Sequence, residues 1–302
     1  MLLIGWFYIL IPTILIVVLA AKKQATKLKW ALSSLLTGVA ILFIWLIARW
    51  EMASIYLRYL LPILYLIACV IISYKRIKKP DKPENKIASY IGIGLNIFII
   101  FFLSVMNFLA LRGYQIPQNT VALSSPFKEG KYIVLNGGSR PMVNAHFNGS
   151  AQNYAVDIVG LNSLGMRASS IGGGKNLSNY VIFGKPVFSP CSGKVLVVVD
   201  KFDDLVPPIT DTNNIAGNHI LIEFNGKEVL LAHFKKGSIK VNVGDLVDTN
   251  TLLGNVGNTG NTSEPHLHMH IEQGGTPSTI LNGKAVPFTI NGKFLVRGSI
   301  IK

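Results

Sequence analysis

The sequence predicts a chain in two parts, an α-helical transmembrane region followed by a mainly antiparallel β domain. Three observations predict it. Charge is unevenly spread, four apolar runs near the N-terminus have membrane-spanning length, and the remainder breaks into short β-type runs between turn residues. Half of the 302 residues are hydrophobic and 15% are charged, with a formal net charge of +14. Residues 1–111 hold 12 of the 29 Lys and Arg residues, three acidic residues (Glu51, Asp81 and Glu84) and no histidine. Residues 112–302 hold the other 17 basic residues, 12 acidic residues and all six histidines. This imbalance excludes a wholly soluble protein and one lying wholly in the membrane. It leaves about 190 residues for a globular domain, enough for a core of its own.

The apolar runs lie near 2–20, 30–48, 53–73 and 88–111. About 20 residues each suffice to cross roughly 30 Å of hydrocarbon. The first run is expected to be a retained helix, because Met1-Leu2-Leu3-Ile4 lacks a positive leader and the run is too long for a signal-peptide core. Lys22, Lys23, Lys27 and Lys29 form one basic loop, and Lys75, Arg76, Lys78, Lys79, Lys82 and Lys86 form a second. The link around Arg49 and Glu51 is nearly neutral. Basic loops stay on the cytoplasmic side, so both chain ends are expected outside it. The positive charge is thus read as a topology signal and not as the mark of a nucleic-acid partner. Arg58, about one turn into the third run, is expected to snorkel to the interface, and Pro12 and Pro62 to kink their helices. The region is read as an anchor in the lipid bilayer, with an unidentified membrane partner as its alternative use. Cys69 and Cys191 fall in different parts, so no intramolecular disulfide is expected.

From Tyr114 onward, β-type runs cover 131–135, 154–159, 193–199, 219–224, 228–233, 252–256 and 266–271. Asn225-Gly226 between two of them is a hairpin signal. A long loop is expected at 161–180, and the Gly- and Asn-rich stretch 254–262 reads as tight turns because it opens no helix. Residues 112–140 read as linker or as the start of the exported domain, and 141–302 as the domain itself.

The chemistry lies in the histidines. In His266-Leu267-His268-Met269-His270 the imidazoles recur at every second residue, which on a strand puts them on one face. Imidazole is a common zinc ligand, and a catalytic zinc takes three protein ligands plus an open position. An anionic ligand is also expected. Asp157, a carboxylate inside an apolar strand, is the candidate, since burying it unpaired is costly. His146 lies 11 residues upstream, within reach of a loop or hairpin, and His233 ends an apolar run.

Several segments resemble the lysostaphin/LytM-type zinc metallopeptidases, which cleave peptide cross-links of bacterial peptidoglycan. They are Gly184-Lys185-Pro186-Val187, Ser192-Gly193-Lys194-Val195, Gly217-Asn218-His219, Leu231-Ala232-His233, Val243-Gly244-Asp245, and Gly257–Thr262 leading into Pro265-His266-Leu267-His268. The resemblance covers about 140–275 and leaves out the apolar runs. It implies a LytM-like β groove with zinc at its floor. It makes Asp157 and His268 metal ligands, and it places His266 and His233 beside the metal to polarise water and stabilise the oxyanion.

One position departs from the family pattern. The usual first ligand is a histidine four residues before the aspartate, and Asn153 stands there. His146 is the expected substitute, as in relatives with an Asn-His-His stretch upstream, and His270 is the fallback. His219 is read as a surface or supporting residue, and Cys191 as a poor nucleophile in its turn.

The sequence therefore predicts a multi-pass protein of the bacterial cell membrane with an extracytoplasmic zinc endopeptidase domain acting on peptidoglycan peptides. His146, Asp157 and His268 are its expected zinc ligands, and His266 and His233 its catalytic groups. The competing class is a non-catalytic domain of the same fold that binds peptidoglycan or activates another cell-wall hydrolase.

Overall fold

A computed structural model describes residues 2–21, 26–83, 85–149, 151–275 and 280–302. Lys22, Lys23 and Glu84, which enter the charge reading above, lie outside the described residues. The chain divides into two compact units, Met1–Leu111 and Arg112–Lys302.

The first unit is helical: α1 (Leu2–Ala21), α2 (Lys27–Ile47), α3 (Leu57–Ile77) and α4 (Lys86–Arg112). Two helix starts, those of α2 and α4, carry side-chain caps. Thr26 accepts from the Lys29 amide at 3.2 Å, and Asn85 accepts from the Ala88 amide at 3.2 Å. Among the described residues, three helices, over Lys27–Ile47, Leu57–Arg76 and Lys86–Arg112, are long and apolar enough to cross a membrane, and Trp6–Ala21 within α1 is a shorter apolar stretch. The third helix starts later than expected. Residues Trp50–Met52 form a 3-10 turn in which buried Glu51 pairs with Arg49 at 2.8 Å, so the chain enters α3 only at Leu57. The Arg58 side chain is buried within the helical unit, with the guanidinium 4.0 Å from the Trp45 ring centroid. Pro12 and Pro62 lie inside α1 and α3.

The second unit is built from β1 (Val121–Leu123), β2 (Tyr132–Asn136), β3 (Val156–Gly160), β4 (Pro186–Phe188), β5 (Gly193–Val199), β6 (His219–Glu223) and β7 (Glu228–Ala232). It continues with β8 (Leu246–Val247), β9 (Leu252–Asn255), β10 (Leu267–Gln273), β11 (Lys284–Ala285), β12 (Phe288–Ile290), β13 (Lys293–Phe294) and β14 (Ile300–Ile301). The main sheet runs β14-β2-β3-β10-β7-β6-β5-β8, with β11 against the end of β10. Its pairings are antiparallel. Two small sheets, β1-β12-β13 and β4-β9, complete the unit. Strand β2 sits inside the main sheet, and the second compact unit begins at Arg112.

Alternation explains why this sheet forms. On β10 the odd residues Leu267, Met269 and Ile271 enter the main apolar core with Ile158, Ile220, Val229 and Leu231. Burying each such side chain contributes about 1.5–3 kcal/mol. The even residues face the opposite way. The β6–β7 hairpin turns on Asn225 and Gly226, both at positive φ (53° and 71°), with Phe224 and Lys227 exchanging backbone hydrogen bonds. Residues 161–180 lack regular strands apart from a bridge between Ala168 and Tyr180.

Candidate metal centre

The polar face of β10 meets two neighbouring strands in fixed register. His268 stands opposite Asp157 of β3 on one side and opposite Ala232 of β7 on the other. The pairing brings together two residues 111 positions apart: His268 Nδ1 lies 2.9 Å from Asp157 Oδ1. One residue past β7 the chain turns at His233, held at φ +69°, which swings its imidazole towards the same point. The His233 and His266 ring centroids are 4.7 Å apart.

His146 arrives from a loop. It sits in a 3-10 turn, Ala145–Asn148, whose cap Asn144 accepts the His146 amide at 3.1 Å. The Asn144 side chain is fully buried and donates to the carbonyls of Gly138, Asn153 and Ala155. It thereby fastens the turn to the start of β3. His146 Nε2 then lies 2.8 Å from Asp157 Oδ2. Asn153 does not join the cluster. Its side-chain amide faces the carbonyls of Phe147 and Gly149, and with the nitrogen turned to them it braces the turn that carries His146.

Each remaining imidazole is oriented from behind by a backbone carbonyl. His233 Nδ1 donates to Thr259 O at 2.7 Å and His266 Nδ1 donates to Glu264 O at 2.9 Å, which leaves the Nε2 atoms for chemistry. Thr259 can approach only because Gly217, at φ +55°, has no Cβ to meet its carbonyl. Glu264 is fixed by a fully buried ion pair with Arg167, at 2.8 Å. Asn136 adds a hydrogen bond to Asp157 Oδ2 at 2.8 Å. These supporting residues had no sequence signal beyond their polarity, because their partners are remote in the chain.

Electrostatics follow from burial and from Asp157. Burial raises the Asp157 pKa, but facing His146 and His266 outweighs it and holds the carboxyl well below the usual range. Burial lowers His146 and His266, but the Asp157 charge outweighs that and leaves both raised. His268 is driven down to about 3, first by burial. Burial and neighbouring His266 and His268 push His233 well below its ordinary value. His233 and His268 are therefore neutral at pH 7. Cys191 is buried and its thiol pushed up to about 12, first by burial, so it is no nucleophile. His219 is buried and donates to the Gly217 carbonyl at 2.7 Å.

The donor set suits a metal ion. The ligand atoms of His146, Asp157 and His268 lie within 4.8 Å of one another, as do those of His233, His266 and His268. Two imidazoles with one carboxylate match the nitrogen and oxygen ligands of zinc, whose bonds of about 2.0–2.2 Å would draw such atoms together. Only the first set contains an anion. His270 is in neither set. A cleft of about 330 Å³ opens on the cluster, lined by His146, Asp157, His233, His266, His268 and Leu281 among others.

Residues 178–280 match the family described as peptidase family M23. The match takes in His233, His266 and His268, while His146 and Asp157 lie ahead of it. Among curated proteins, none matches the chain. Solved structures similar to it include the catalytic domain of a mutant of the prophage-encoded M23 protein EnpA from Enterococcus faecalis, at 19% identity and a TM-score of 0.33 over 54% of this chain and 92% of that one. A zinc-containing peptidase from Vibrio cholerae is 22% identical with a TM-score of 0.31, covering 50% of this chain and 37% of that one. Lysostaphin from Staphylococcus simulans is 24% identical with a TM-score of 0.27, covering 42% and 40% respectively. The chain thus spans less than half the length of the latter two.

Proposed function

We propose that this chain is a membrane-anchored zinc metalloendopeptidase that hydrolyses peptide cross-links of bacterial peptidoglycan. The observation that carries the reading is the meeting of His146, Asp157 and His268 at one point, beside two further oriented imidazoles at the floor of a cleft. His146 Nε2, an Asp157 oxygen and His268 Nδ1 would hold the ion. When bound, zinc lowers the pKa of water towards about 7 and polarises a carbonyl.

The chain's own residues do the rest. His233 is neutral, and its Nε2 is available to accept the proton of the attacking water. His266, whose Nδ1–H goes to Glu264 O and whose pKa is raised by the Asp157 charge, faces the same centre and as the imidazolium supports the oxyanion through its Nε2–H. Apolar helices of sufficient length support the membrane anchor, and the M23 match supports the peptide substrate.

Asn153 at the family's first-ligand position favours a non-catalytic binding or activating domain. The placement of His146 against Asp157 supports the catalytic reading, because it supplies the donor that Asn153 lacks. The test uses the full-length chain in detergent, loaded with zinc and incubated with purified peptidoglycan. Mass spectrometry should find fragments with new termini within the peptide cross-links. A zinc-loaded protein that binds the polymer and releases nothing would establish the non-catalytic reading instead.

A further inference from the structure

We infer that His270 and Glu272 form a buried positioning relay behind the metal site, in which His270 holds the ligand His268 at its far nitrogen and the Glu272 carboxylate, anchored to the wall of the cleft, faces the other nitrogen of His270. The inference rests on the zinc reading above and adds residues that the ligand set does not include.

The relay follows from the two-residue period of β10. His268, His270 and Glu272 share one face of the strand, and all three are buried. His268 directs Nδ1 at Asp157 and its Nε2 lies 3.0 Å from His270 Nδ1. A neutral imidazole has one N–H. With Nδ1 committed to a metal as a lone pair, the His268 proton must sit on Nε2, where it donates to His270 Nδ1. His270 then carries its own proton on Nε2. That atom lies 3.9 Å from Glu272 Oε1 and has no hydrogen-bond partner among the described residues. The two nitrogens of His270 thus have complementary tasks, accepting on the metal side and presenting N–H to a carboxylate on the other.

Glu272 has a second attachment. Its carboxylate accepts the backbone N–H of Leu281 at 3.1 Å and of Gly283 at 2.7 Å. Leu281 is held at φ +77° and lines the cleft, and with Ile280 it packs on the small apolar cluster around Leu230 and Ala232. A Cβ on Gly283 would collide with the Glu272 side chain, so the strap is fitted closely to the carboxylate. An aliphatic pair at 270 and 272 would pack beside Leu230 without burying a carboxylate. The polar pair is accounted for by what it joins, a cleft wall on one side and a metal ligand on the other.

The experiment measures zinc affinity, not turnover. Full-length protein in detergent is stripped of metal and titrated with zinc against a chromophoric chelator, wild type beside His270→Leu, His270→Gln and Glu272→Gln. Loss of an outer hydrogen bond to a ligating histidine weakens metal binding by about 10–100-fold. His270→Leu should fall in that range. His270→Gln should recover part of the loss, because its amide oxygen can accept from His268. Glu272→Gln should fall between wild type and His270→Leu. Wild-type affinity in a folded His270→Leu protein overturns the relay. Should that variant fail to fold, nitrogen-15 NMR of the zinc-loaded wild type decides. His270 carrying its proton on Nε2 supports the relay, and His270 carrying it on Nδ1 overturns it. Wild-type protein that binds no zinc overturns the relay together with the hydrolase reading, whereas zinc held equally with or without His270 overturns the relay alone.

Discussion

Asp157 organises the site at the scale of single residues. One oxygen takes His146 and Asn136, the other takes His268, and His266 stands 3.5 Å away. Substituting Asp157 or His146 by Ala should abolish stoichiometric zinc binding, read as metal content of the purified chain. His233→Ala and His266→Ala should retain the zinc and lose about 10²–10⁴-fold in kcat, the usual contribution of a positioned proton-transfer group. Retained kcat in either variant would remove that histidine from the proposed chemistry. Cys191→Ser should leave the rate unchanged, because the thiol is buried and protonated.

At the scale of elements, the site depends on loops that strands hold in place. The turn carrying His146 hangs on Asn144, which makes three side-chain donations and one acceptance while fully buried. Asn144→Ala strands several of those partners and should cost about 2–4 kcal/mol in a denaturant melt, with weaker zinc binding alongside. The loop ahead of β10 hangs on Arg167 and Glu264. Removing one partner of a fully buried pair leaves an uncompensated charge, at about 3–5 kcal/mol. Arg167→Ala should therefore be strongly destabilised, and the double variant Arg167→Met with Glu264→Leu should recover most of the loss. Equal stability of Arg167→Ala and wild type would show that the pair contributes nothing.

At the scale of the whole molecule, the histidines set the pH dependence of the metal-free form. His219, His233, His268 and His270 have lowered pKa values in the folded domain, and His146 and His266 have raised ones. Between pH 7 and 5 the unfolded chain protonates all six near 6.5, while in the folded chain the four lowered imidazoles take up their protons at lower pH and the two raised ones keep theirs to higher pH. The unfolded state therefore binds more protons as pH falls, and stability falls with it. The raised pair opposes this trend, contributing most at low pH and losing its contribution as pH rises through its folded values. The four outnumber the two, so the melting temperature of EDTA-treated protein should drop from pH 7 to pH 5. A flat or rising profile would contradict the burial of the neutral imidazoles. Added zinc should raise the melting temperature at pH 7, since a ligand that binds only the folded state stabilises it.

The sequence by itself determined the two-part build, the apolar helices, the hairpin at Asn225-Gly226 and the strand that carries the histidines. These are local properties: hydrophobic length, turn chemistry, and a two-residue period that sends Leu267, Met269 and Ile271 to the core and the histidines to the other face. Only the tertiary structure decided which groups meet. The register of β10 against β3 sets His268 opposite Asp157, and the turn capped by Asn144 brings His146 to the same carboxylate while Asn153 is used as a brace. It also decided that His270, one strand period beyond His268, lies behind the cluster with Glu272 and not at the cleft. Arg58 shows the same division, since its place in an apolar helix was legible but the Trp45 ring that receives it was not. Local patterning fixes which way a side chain points. Strand register and loop caps, which depend on residues remote in the chain, fix what it points at.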